Sequence, residues 1–121
     1  MRFLDLEGLL IVADTAVGGQ ALVRDFGLLS SALARPQASF GGHDAYPDID
    51  EKAAALLHSL VNNQALVDGN KRLGWLATYT FYAINGMTLE APTDAAYDLV
   101  IAVAEGAADV PEIAERLKAW R

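Results

Sequence analysis

Cysteine is absent from the 121 residues, which removes disulfides and thiolate metal centres and leaves the redox compartment open. Basic residues are scarce: nine Lys and Arg against sixteen Asp and Glu give a formal charge of −7. Phosphate neutralisation along a nucleic acid needs a basic face, so direct nucleic-acid binding is not expected. A small basic pocket inside an acidic surface remains compatible with that charge. Long apolar runs are missing too. The longest uncharged stretch, Leu73–Leu89, contains Thr, Tyr, Asn and Gly and falls short of the ~20 residues that span a bilayer. The opening MRFLDLEGLL carries Asp5 and Glu7 where a signal peptide needs positive charge. The expectation is a cytoplasmic protein with no membrane segment.

Internal repeats, Pro- or Ser-rich linkers and low-complexity tracts are also lacking, and the G-x-x-x-x-G-K-[ST] phosphate loop does not occur. Only two histidines are present, His43 and His58, and neither has Asp, Glu or His at i±4, which argues against metal ligation by either. His58 is expected to be a partly buried structural residue. His43 falls in a loop, where binding residues often lie.

What is present is apolar periodicity. Hydrophobic residues make up 53% of the chain, enough for one core in one domain spanning 1–121. Leu6, Leu9, Leu10, Ala13 and Ala16 share a face of a helix over Leu4–Ala16, stopped by Gly18-Gly19. Asp25 suits the N-cap of a second helix carrying Leu28, Leu29, Ala32 and Leu33 and ending before Pro36. Residues 35–47, RPQASFGGHDAYP, have no period and read as a loop or flap. Asp48 with Glu51 resembles a capping box for a third helix, whose inner face is Ala53, Leu56, Leu57, Leu60 and Val61.

The segment from Gly69 to Asn85 is apolar nearly all round, the pattern of a central helix covered on several sides. Two further helices follow, 94–105 capped by Thr93 and 110–120 opened by Asp109 with Glu112. Strict alternation is never sustained; YTF (79–81) and MTLE (87–90) offer at most short extended pieces. The fold class is therefore all-α, a compact bundle of about six helices around a central apolar one.

One stretch combines chemistry with position: Asn63–Trp75, NQALVDGNKRLGW. A helix N-terminus exposes unpaired backbone N–H groups and about half a positive charge. Lys71 and Arg72 in that first turn oppose the dipole unless an anion is bound, a conflict of the kind found at functional sites. Gly69 lets a ligand approach the backbone, and a phosphate would be held by amides and a guanidinium fork. Asp68 beside it suits Mg²⁺, which takes one or two protein carboxylates together with phosphate oxygens. The plainer alternative has Asp68 capping the helix and both cations reaching solvent. Trp75, Tyr79, Phe81 and Tyr82 are assigned to the core and not to a stacking platform.

Ala65-Leu66-Val67-Asp68-Gly69-Asn70-Lys71-Arg72 resembles the signature of the Fic/Doc family, H-x-F-x-[DE]-[GA]-N-[GK]-R, with Lys71 in the form of the Doc branch. The stretches RDFGLLSSALARPQASFGG (24–42) and YPDIDEKAAALLHSL (46–60) are similar to the upstream part of the same proteins. The resemblance implies an ATP- and Mg²⁺-dependent toxin of a toxin–antitoxin pair. Doc-like members are kinases that pass the γ-phosphate to a threonine of elongation factor Tu and arrest translation, whereas Fic members transfer AMP. It further implies that Asp68 holds Mg²⁺ and that Asn70 and Arg72, with the Gly69–Lys71 amides, form an anion cradle. Lys71 would contact the transferred or adjacent phosphate, Leu66 would anchor the loop, and the flap at 36–45 would align the target. A Phd-like antitoxin with a C-terminal segment that folds on binding would occupy an apolar groove.

Gln64 departs from the signature. It stands where the family has its general-base histidine, and an amide can orient a hydroxyl but has no accessible pKa with which to take its proton. Loss of a general base costs ~10²–10⁴-fold in rate. Positioning and electrostatics carry much of phosphoryl transfer, so the cradle should persist while turnover nearly vanishes. Two accounts fit: an introduced substitution that lets a growth-arresting protein be produced, or a natural member that binds without catalysing. The otherwise intact signature favours the first. A non-catalytic helical module that docks a partner is the remaining alternative.

Overall fold

The computed structural model describes residues 1–121 and is built from six helices: α1 (Leu6–Val17), α2 (Phe26–Ala34), α3 (Ile49–Asn62), α4 (Asn70–Ile84), α5 (Thr93–Ala104) and α6 (Val110–Trp120). The expected all-α architecture is what forms. The caps explain most of the helix starts. Asp5, Asp25, Asp48 and Asp109 each adopt extended backbone and accept a hydrogen bond from the N–H three residues on, at Gly8, Leu28, Glu51 and Glu112. Thr93 does not cap α5. It is that helix's first residue, after Pro92, whose side chain has nothing with which to accept an N–H.

A 26-residue apolar cluster runs from Leu9 to Leu117. Its centre is shared by α3 and α4. Ten residues of α3 are buried, among them the charged Asp50 and Lys52, compared with seven in α4. The apolar surround inferred for α4 is incomplete: Phe81 and Tyr82 are fully buried, Trp75 is half-buried against Trp120, and Tyr79 is exposed. Gly74 sets the α3–α4 approach. A Cβ there would lie 2.7 Å from Val61 Cγ2 and 3.2 Å from Leu57 Cδ1.

The flap has more structure than a loop reading allows. Residues Arg35–Gln37 form a 3₁₀ turn, and β1 (Ser39–Phe40) pairs antiparallel with β2 (His43–Asp44). Gly41 and Gly42, at φ 57° and 81°, make the two-residue turn, a geometry that needs positive φ at both positions. The motif is too short for period-2 patterning to reveal it. Conversely, YTF lies inside α4, where helix packing overrides its β propensity, and MTLE pairs with no strand. Lys52 fastens the base of the hairpin, donating from α3 to the Tyr46 carbonyl, to Pro36 O at 3.4 Å and to Asp44 Oδ2 at 3.2 Å. Arg35 adds bonds to Tyr46 Oη, His58 Nδ1 and Ser59 Oγ at 3.1, 2.8 and 3.0 Å.

Candidate active site

The segment between α3 and α4 turns back on itself under local hydrogen bonds. Asn70, the first residue of α4, is 7% exposed and reaches backwards. Its Oδ1 accepts from Leu66 N at 2.9 Å, while its Nδ2 donates to Leu66 O at 3.0 Å and to Gln64 Oε1 at 3.3 Å. The Asn70 side chain thus closes the loop 64–70 into a ring. Leu66, 1% exposed, pins that ring to the core, as expected of the residue in the signature's Phe slot. From outside, the chain before α2 runs alongside: Arg24 N and Asp25 N donate to Ala65 O at 2.8 and 3.1 Å, and Val67 N donates to Leu22 O at 2.9 Å.

Asp68 is not the cap of α4. The N-cap is Gly69, at φ 92°, and no side chain bonds the first-turn amides. Those N–H groups therefore remain available to a ligand, the condition under which a helix start binds an anion. Gly69 is required for a reason beyond ligand approach: a Cβ would come within 2.7 Å of Val17 Cγ1 at the end of α1. The Asp68 carboxylate is almost fully exposed and lies 3.7 Å from an Arg72 amino group that is itself half-exposed. Such a pair contributes little to stability and is free to re-form around a ligand.

Gln64, Asp68, Gly69, Asn70, Lys71 and Arg72 line one cleft of about 390 Å³, closed on its far side by Tyr97 and Ile101 of α5. The structure therefore gathers every residue singled out in the loop. A second cleft of about 530 Å³ abuts it and shares Lys71, Arg72, Tyr97 and Ile101; its walls are largely apolar, from Ala16 of α1, Trp75 and Leu76 of α4, and Ala96 and Val100 of α5. His43 lies on exposed β2 and takes no part in either cleft.

His58 is structural, as anticipated. Arg35 can only donate, so Nδ1 of His58 accepts, and burial followed by the Arg35 charge holds its pKa below the usual 6.5 against a weaker pull from Asp109. No group of three or more His, Cys, Asp or Glu converges anywhere in the structure. A Mg²⁺ ion at Asp68 would hence have to take most of its ligands from phosphate oxygens and water, which matches that ion's habits. One exposed carboxylate opening on the same cleft as the free amides fits such a role.

A match to the Fic/DOC family covers residues 3–82, from before α1 to near the end of α4. The chain belongs to the Fic/Doc family. It is also 51% identical over 118 residues to Toxin Doc of Mycolicibacterium smegmatis, an alignment covering 96% of this chain and 91% of that protein. The family match ends before α5 and α6, so the wall built by Tyr97 and Ile101 lies outside it. Sequence reasoning missed one residue that braces this Fic/Doc site, Arg24, and one that fastens the flap, Lys52. Arg24 offers no periodic signal, since it precedes α2 and bonds backbone. Lys52 left a trace: a cation one residue from Ala53 in a stripe that also holds Ile49 and Leu56.

Proposed function

We propose that the protein is a Doc-type toxin whose site binds ATP with Mg²⁺ and is built to pass the γ-phosphate to a threonine hydroxyl of elongation factor Tu, arresting translation in the cytoplasm. The observation that carries this reading is the uncapped first turn of α4, with free amides, Lys71, Arg72 and Asp68 facing one cleft. A phosphate chain laid there receives the backbone N–H groups of the turn and the guanidinium of Arg72. Lys71 adds a point charge for the phosphate in transfer. Mg²⁺, when bound, neutralises charge on the phosphate oxygens, and Asp68 is the carboxylate placed to hold it. Asn70 acts on the loop itself, keeping Gln64 at hydrogen-bond range of the cradle.

At position 64 the mechanism is interrupted. A hydroxyl nucleophile can donate to Gln64 Oε1, but the amide cannot keep the proton as the new O–P bond forms. This chain therefore binds and orients while transferring slowly. A Phd-like antitoxin would hold it through a segment whose apolar side chains occupy the cleft between α1, α4 and α5.

The test begins with ATP titration. Binding that requires Mg²⁺ and disappears in Arg72→Ala and Asp68→Ala is the expected result. If both variants bind as the parent does, or the parent does not bind, the site is a docking module and not a nucleotide cradle. Gln64→His should then raise phosphate incorporation into elongation factor Tu by ~10²–10⁴-fold. Intact-mass measurement of the target separates phosphate from AMP transfer. A Gln64→His protein that leaves growth and the target untouched would defeat the enzymatic reading.

A further inference from the structure

Gln64 is the one non-glycine residue at positive φ, 57°. A glutamine gains nothing intrinsic from the left-handed region, so neighbouring groups have to hold it there. Two sets of bonds do so. Inside the cleft, Asn70 Nδ2 donates to its Oε1, and its own Nε2 donates to Val61 O at 3.2 Å. Outside, Arg24 grips its carbonyl oxygen with Nε at 2.9 Å and with a terminal guanidinium nitrogen.

Arg24, like Arg35, joins no acidic side chain, but where Arg35 bonds side chains Arg24 bonds backbone. The ion pairs of the molecule join Lys52 to Asp44, Arg72 to Asp68 and Arg121 to Asp50. With sixteen acidic side chains in the chain, Arg24 pairs with none of them and spends two donors on a single peptide oxygen. Its backbone is fixed at the same place, through the bonds of Arg24 N and Asp25 N to Ala65 O. The splint is thus rigid at its root and forked at its tip. A planar guanidinium sets the orientation of a carbonyl in a way that a single rotating ammonium does not.

We propose that Arg24 is a positioning residue of this site: its fork locks the residue-64 peptide in the left-handed conformation and so aims the side chain at position 64 into the phosphate cleft. The role rests on the phosphoryl-transfer reading above. Arg24 itself touches neither phosphate nor nucleophile and acts through residue 64. Released from the fork, that peptide relaxes toward negative φ and swings the side chain off Asn70. A displacement of about 1 Å at a proton-accepting group costs on the order of 100-fold in rate.

Crystal structures and kinetics test this together. With Gln64 in place, Arg24→Ala should show φ at 64 leaving the left-handed region and the Asn70–Gln64 bond broken, with Leu66 and Asn70 still bonded. In the Gln64→His background, Arg24→Ala should lower kcat by about 100-fold and leave KM for ATP within about twofold, because Lys71, Arg72 and the first-turn amides of α4 are untouched. Arg24→Lys should fall between, since it keeps the charge and loses the fork. An unchanged φ in Arg24→Ala overturns the proposal, as does an unchanged kcat. So does a loss of kcat that merely tracks the fraction unfolded in a urea titration. If Gln64→His transfers no phosphate at all, the reading of the site falls on its own, and the crystal structure of Arg24→Ala alone judges the splint.

Discussion

Gly69 concentrates the demands on this site into one position. Its φ of 92° is open to glycine at little cost, and its missing Cβ leaves room for Val17. Gly69→Ala meets both objections together and should destabilise the fold by ~1–3 kcal/mol in urea titration. It should also abolish ATP binding, because the amides it displaces are the proposed anion donors. Much of this site is legible from residue types: a small residue, two cations and a carboxylate at a predicted helix start point to an anion. What residue types cannot display is which group caps the helix. Asp68 has the right chemistry for a cap and the wrong place, because Gly69 takes up the turn and leaves Asp68 in solvent.

The elements follow the same division. α2, α3 and α6 were foreseeable because each begins at an aspartate able to accept an N–H, whereas α1 was legible only from its apolar spacing and starts at Leu6, behind an Asp5 cap, and not at Leu4. The β1–β2 hairpin was not, since two-residue strands carry no pattern and exposed Phe40 has no alternation partner. Its stability comes from elsewhere, mainly from the buried ammonium of Lys52. Lys52→Met keeps the apolar stem and removes the donors. Limited proteolysis should then cut within residues 38–47, while far-UV circular dichroism of the six helices stays near that of the parent. Gly74→Ala tests the other seam. The added methyl collides with Val61 and Leu57, and an overpacked α3–α4 contact should cost ~1–3 kcal/mol by urea titration.

Across the whole molecule, acid attacks two points in succession. Asp50 sits in the core beneath α4 and α6, accepting from Tyr82 Oη at 2.7 Å and from Arg121 Nε and a terminal guanidinium nitrogen at 2.9 and 3.0 Å. Burial pushes its pKa up, but the bonds from Arg121 and Tyr82 outweigh that and hold it below 3.8. A carboxylate with a depressed folded pKa contributes stability that is complete above 3.8 and lost as pH falls through the folded value. His58, also depressed, is neutral in the fold. It takes up a proton more readily when unfolded, so stability declines as pH drops below 6.5. The urea midpoint should accordingly fall in two stages on acidification, the first near neutrality and absent in a His58→Gln variant. Asp50→Ala returns the exposed Arg121 to solvent but leaves the buried Tyr82 hydroxyl without its acceptor, and should destabilise by ~1–3 kcal/mol.

The bare opening turn of α4 has a consequence for handling the protein. A helix that starts without a partner for its first amides forgoes what a side-chain cap contributes, ~1 kcal/mol, and whatever ion settles there restores it. Occupancy can then be read as melting temperature, with no target, antitoxin or Gln64→His variant in the tube. An occupant at a hundredfold excess over its dissociation constant adds ~2.7 kcal/mol, a rise of several degrees for a chain of this size. A thermal screen of phosphates, nucleotides and their magnesium complexes would rank the site's own preferences.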